Sequence, residues 1–264
     1  MTAHDVRVPA VAGLFYPGEA GALRAQLAQM LAGNPAPGAP PKALIAPHAG
    51  YAYSGPIAAR AYNRLASHKA AIHRVVLLGP AHRVPVRGLA LPAADIFRTP
   101  LGDIELDRDA RALLAGLPQV TRSAAAHAQE HSLEVHLPFL QVLLEDFRLV
   151  PLLVGWAQTS EIAAVLDAIW GDEETLIIIS SDLSHYHDYA TARRHDADTA
   201  RRIETLQFPI PDEQACGAFP INGLLSVALT RHLRVERLDL RNSGDTAGDR
   251  QRVVGYGAWA LHAA

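Results

Sequence analysis

Three apolar runs in this sequence lead straight into histidine. Residues 43–46 are followed by Pro47-His48-Ala49-Gly50-Tyr51, and residues 75–78 by Gly79-Pro80-Ala81-His82. Residues 176–179 are followed by Ser180-Ser181-Asp182-Leu183-Ser184-His185. A single loop histidine is more often solvated or hydrogen-bonded than a ligand. Three core strands that all end this way favour a shared site, because ligands of open α/β sheets bind outside the carboxyl ends of the strands. Two imidazoles and one anionic donor hold a divalent ion and leave positions open, as catalytic zinc and non-haem iron require. The anionic donor is Asp182 or Cys216. Cys216 sits in the Gly- and Pro-punctuated stretch Gln214-Ala215-Cys216-Gly217-Ala218-Phe219-Pro220, ahead of a helix whose N–H groups favour a thiolate. A thiolate would make the site softer and suit iron, copper or zinc.

A second cluster is His127-Ala128-Gln129-Glu130-His131-Ser132-Leu133-Glu134-Val135-His136. It lacks the spacing of a HExxH zinc motif. His127, His131 and Glu134 lie four and three residues apart, so a helix would align them, while His136 points elsewhere. The stripe either orients ligands from behind or is a polar helix start with Glu130 and Ser132 as cap groups. Tyr51 and Tyr53 beside His48 could face an aromatic ligand or form the rim of the core. No GxGxxG, Walker loop or GxSxG occurs, which leaves nucleotide binding and serine hydrolysis without their motifs.

The elements that must position these residues alternate along the chain. Buried strands are expected at 43–46, 75–78, 149–154 and 176–179, with later strands at 235–240 and 253–261. Helical spacing covers 19–32, 54–68, 107–117, 131–146, 160–170, 190–206 and 220–232. The Gly- and Pro-rich stretch 33–41 reads as a connection, and the proline-broken tract 85–102 as a short β excursion. Such alternation predicts an α/β fold, one domain over 1–264, with a mostly parallel, mixed central sheet flanked by helices on both faces. Parallel strands would bring His48, His82, Asp182 and His185 to one edge.

Composition narrows the classes further. Of the 264 residues, 49% are hydrophobic and 19% charged, so a sizeable core is available. The formal charge is −3, from 24 Lys and Arg against 27 Asp and Glu, with no basic run suited to nucleic acid. The lone Cys216 excludes an internal disulfide framework and fits a reducing compartment. No apolar run approaches the length of a membrane span or a signal peptide, so the expectation is a cytoplasmic protein with no membrane partner.

Motifs along nearly the whole chain resemble the Memo family, whose bacterial and archaeal members are often labelled AmmeMemoRadiSam system protein B. They are Ala12-Gly13-Leu14-Phe15-Tyr16-Pro17, Pro47-His48-Ala49-Gly50-Tyr51-Ala52-Tyr53-Ser54-Gly55 and Leu78-Gly79-Pro80-Ala81-His82. Glu130-His131-Ser132-Leu133-Glu134-Val135-His136-Leu137-Pro138-Phe139 and Ser180-Ser181-Asp182-Leu183-Ser184-His185 continue the series, and Cys216-Gly217 with Asn242-Ser243-Gly244-Asp245 complete it. The family is similar in fold to LigB-type class III extradiol dioxygenases, which hold Fe(II) with two histidines and a glutamate. The resemblance implies His48, His82 and Cys216 as metal ligands, with Fe(II) the first expectation and copper or zinc compatible. It implies His185 as the acid/base with Asp182 beside it, Tyr16, Tyr51 and Tyr53 toward a substrate, and His131 and Glu134 behind the ligands. The implied activity is that of a dioxygenase-like oxidoreductase on a small molecule. The contrasting reading is a non-catalytic module that binds a peptide, a phospho-ligand or a metal in the old pocket. The family label also suggests a radical-SAM partner. Cysteine in place of a carboxylate departs from the dioxygenases, and a thiolate is itself oxidisable.

Overall fold

The computed structural model describes residues 5–32 and 40–263. Its strands are β1 (Val6–Arg7), β2 (Ala43–Ala46), β3 (Arg74–Pro80), β4 (Leu89–Leu91), β5 (Ile96–Thr99) and β6 (Gly102–Glu105). They continue as β7 (Val120–Arg122), β8 (Arg148–Val154), β9 (Thr175–Ser180), β10 (His185–His187), β11 (Arg234–Asn242) and β12 (Val253–His262). The helices are α1 (Ala20–Met30), α2 (Tyr51–Tyr62), α3 (Arg108–Leu114), α4 (Ala124–Ala128) and α5 (Leu137–Leu143). After them come α6 (Thr159–Ala168), α7 (Tyr189–Glu204) and α8 (Ala218–Thr230).

Among the described residues, nine strands form one mixed sheet in the order β10-β12-β2-β9-β3-β8-β4-β7, with β11 on β12. The middle of it, β2, β9, β3 and β8, is parallel, and β12 is antiparallel to β2. These central strands are continuous apolar runs because both faces are covered. Their side chains alternate. Leu44, Ala46, Val75 and Leu77 pack with α1, α2 and α5 on one face. Ala43, Ile45, Val76 and Leu78 pack with α3, α6, α7 and α8 on the other. The tract 85–102, expected to hold a β excursion, contains β4 of the main sheet and β5, the middle strand of a small sheet β1-β5-β6. No helix of the described residues is long and apolar enough to cross a membrane. The 33–41 connection lies outside the described residues save for its last two.

One expected helix is corrected. In place of a helix over 131–146, the chain makes a 3-10 turn at Glu134–His136 and then α5, which ends at Leu143. The Glu130 carboxylate takes the N–H groups of His131 and Ser132, which bends the backbone there before a helix can form. Pro138 then sits in the first turn of α5, where its missing N–H is no loss. His127 belongs to the separate helix α4, so His127, His131 and Glu134 share no helix face.

Candidate metal centre

The parallel pairing of β2, β9 and β3 sets the carboxyl ends of three strands side by side. His48 follows β2, His82 follows β3, and Asp182 with His185 follows β9. His131 reaches the same edge from the turn before α5. The rings of His48, His82 and His131 have centroids 5.2, 5.5 and 4.9 Å apart. One nitrogen from each lies within 4.8 Å of the others, a group that could hold one metal ion. His48 is buried, His131 partly so, and His82 is exposed.

Two of the rings are held from behind. His48 Nδ1 lies 2.6 Å from Ser180 Oγ, and His82 Nδ1 lies 3.0 Å from Glu130 Oε1. Each contact leaves Nε2 for a ligand. Glu130 also accepts the N–H groups of His82, His131 and Ser132. Burial works against its charge, but His82 and these N–H groups outweigh it and hold the carboxyl at about 2. His131 Nδ1 is 3.2 Å from the same oxygen yet makes no hydrogen bond to it. Burial pushes His48 well below the usual imidazole range, and the surrounding histidines add to the effect. Burial also takes His131 down to about 4, against the pull of Glu130. Both are therefore neutral at pH 7, the form that coordinates a metal.

Cys216 stands beside this group. Its Sγ is 3.3 Å from His48 Nε2 and 3.3 Å from the Asp182 backbone nitrogen. The turn that carries it approaches β9 so closely that a Cβ on Gly217 would fall 2.6 Å from the Ser180 carbonyl oxygen. Burial and then the Asp182 charge push the thiol up, so the turn alone does not make the expected thiolate. A bound cation would favour it. Asp182 Oδ1 accepts the His48 N–H at 2.8 Å. Burial raises its carboxyl to about 7 against that hydrogen bond. His185 is half-buried, and burial lowers its imidazole.

Other expected site residues lie differently. Tyr16 donates its hydroxyl to Glu134 Oε1 at 2.6 Å, and Tyr51 donates to the Val135 carbonyl at 2.8 Å. Both are buried, while Tyr53 is 43% exposed. Glu134 fastens the amino-terminal segment through Arg7, the Ala10 and Val11 N–H groups and Tyr16. His127 turns away, with Nε2 2.9 Å from the Ala90 carbonyl. His131, expected behind the ligands, instead stands among the three imidazoles, and Glu130 and Ser132, offered by their spacing as cap groups, brace the site. The adjacency of Glu130 to His131 was the one signal available, and it does not reveal that His82 lies across from both. A cavity of about 800 Å³ lies at the opposite end of the sheet, around Lys42, Trp170 and Arg231. It has no part in this chemistry.

A family model described as Memo-like protein matches residues 7–260. A MEMO1 family protein of Aquifex aeolicus is 35% identical, over 95% of this chain and 97% of its own length. Another, from Methanopyrus kandleri, is 34% identical over 96% of this chain and 97% of its own. The crystal structure of an uncharacterised Escherichia coli K12 protein superposes with a TM-score of 0.50 at 15% identity, covering 81% of this chain and 98% of that one. That likeness concerns the fold alone.

Proposed function

The chain belongs to the Memo-like protein family, and from that premise we propose that it is a metal-dependent oxidoreductase acting on a small molecule. The residues that would hold the ion are His48, His82 and His131, with Cys216 as a further donor. The observation that carries this reading is the convergence of three imidazole nitrogens within 4.8 Å at the carboxyl edge of the sheet. Fe(II) is the proposed resident ion, and copper and zinc suit the same nitrogen and sulfur donors. When bound, such an ion supplies a Lewis-acidic point and, for iron or copper, one-electron chemistry.

The chain's own residues then have defined tasks. Ser180 and Glu130 hold the His48 and His82 rings in place. Asp182 accepts the backbone N–H of His48 and so anchors the turn that presents its ring. His185, neutral at pH 7 because burial lowers its imidazole, takes a proton from a substrate hydroxyl. The exposed His82 marks the side from which a small substrate enters.

The test is the metal content of protein purified without air and without a histidine tag, wild type beside His48→Ala. Near-stoichiometric iron or copper that disappears in the variant supports the reading. It then justifies following oxygen consumption with small phenolic compounds, where His185→Asn should keep its metal and lose turnover. A wild-type protein that is empty and takes up no added Fe(II), Cu or Zn would sink the proposal.

A further inference from the structure

Ser180 ends β9 with no exposed surface, and its hydroxyl touches two groups. Oγ is 2.6 Å from the Ser132 carbonyl oxygen and 2.6 Å from His48 Nδ1. A serine hydroxyl has one proton and two lone pairs, whereas a carbonyl oxygen can only accept. At 2.6 Å the proton must lie between Ser180 Oγ and the Ser132 oxygen, since otherwise two sets of lone pairs would face each other inside the core. Ser180 is left as an acceptor toward His48, so the ring nitrogen facing it must carry hydrogen. The geometry points to Ser180 as a positioning residue that locks His48 in the Nδ1–H tautomer and aims the Nε2 lone pair at the metal centre.

The far side of the ring agrees. Nε2 faces the Cys216 sulfur at 3.3 Å, a contact in which the Nδ1–H tautomer presents a lone pair to the thiol. The thiol's other acceptor, the Asp182 carbonyl, lies farther away at 3.7 Å. Ser132 in turn is a fixed point of the site. Its Oγ donates to the Pro80 carbonyl two residues before His82, and its N–H goes to Glu130. The carbonyl that sets the His48 tautomer therefore belongs to the residue after His131 and is braced against the strand that leads to His82. The three imidazoles are oriented by different means. His82 has a carboxylate behind it, His48 a hydroxyl whose direction is set by a main-chain carbonyl, and His131 no hydrogen bond at Nδ1.

The consequence for metal binding rests on the function proposed above, but the tautomer does not. It is read in metal-free protein with 15N-labelled histidine, from long-range proton–nitrogen correlations at pH 7, with the His48 signals identified by their loss in His48→Ala. The wild type should show His48 protonated at Nδ1 alone. Ser180→Ala should lose that pattern, giving an Nε2–H or mixed ring, and Ser180→Thr, which returns the hydroxyl, should restore it. A wild-type ring protonated at Nε2, or a Ser180→Ala ring still purely Nδ1–H, would overturn the inference. Competition titration with Zn(II) alone is the second arm, and Ser180→Ala should bind about 10- to 100-fold more weakly. A wild type with the Nδ1–H pattern that takes up no Zn(II) would support the tautomer assignment and count against the metal reading.

Discussion

His82 and His131 stack face to face, their ring centroids 4.9 Å and their planes 16° apart, at the carboxylate of Glu130. A stack of two imidazoles offers no charge complementarity of its own. The buried Glu130 supplies the constraint, accepting the His82 backbone N–H at Oε2, 2.6 Å, and the His131 backbone N–H at Oε1, 2.9 Å. One acceptor-only group thus sets the backbone before both rings.

Glu130→Gln tests that constraint. The amide replaces one acceptor oxygen with a donor, which would face an N–H group inside the core. Zn(II) affinity should fall by about 10- to 100-fold, and stability by roughly 1–3 kcal/mol for the unsatisfied buried group. Competition titration and urea unfolding measure the two effects separately. A variant with unaltered affinity would show that His82 is oriented by something else.

Arg7 and Glu134 form a buried ion pair at 2.7 Å that fastens β1 under the 3-10 turn. Arg7 also donates to the His127 and Glu130 carbonyls. Removing one partner leaves a charge buried without compensation, so Arg7→Met should destabilise the protein by about 3–5 kcal/mol. Thermal unfolding reports this, and a loss below about 1 kcal/mol would contradict the pairing as described.

Asp196 on α7 gives a pH signature. It is buried, accepts the Ser184 N–H at 3.0 Å, and burial raises its carboxyl from 3.8 to about 6. Between those values the folded protein keeps a proton that the unfolded chain releases. Stability from this group therefore falls as pH rises through the window and stays low above it. Asp196→Asn should remove that part of the slope and be the more stable protein above pH 6, by on the order of 2 kcal/mol. Comparing wild type and variant in urea from pH 4 to 7 isolates the contribution. A difference that is independent of pH would refute it.

The same carboxylate lies against Gly255 of β12, where an added Cβ would collide with it. Gly255 also bonds the loop before His185, its N–H to Ser184 and its carbonyl to the Leu183 N–H. Gly255→Ala should cost about 1–3 kcal/mol from overpacking. Adding Asp196→Ala, which removes the colliding atoms, should recover part of that loss as a coupling term in a double-mutant cycle. Strict additivity of the two losses would rule out the contact.

Apolar patterning alone marks the strands that matter and the histidines that follow them. Runs such as 75–78 and 176–179 are apolar without interruption because parallel strands covered on both faces allow no polar position. Their ends place His48, His82, Asp182 and His185 at one edge once the strands are parallel. Local spacing could not place His131, because its position depends on a helix that does not form. Glu130 binds N–H groups at 82, 131 and 132, and that contact across 48 residues outweighs the helical periodicity of 131–146. Tertiary structure likewise decided that Tyr16 and Tyr51 turn their hydroxyls to Glu134 and Val135. It also made Ser180 the group behind His48. Hydrogen bonds between distant segments leave no period in the chain, and a buried polar group takes whichever partner the packed strands bring to it.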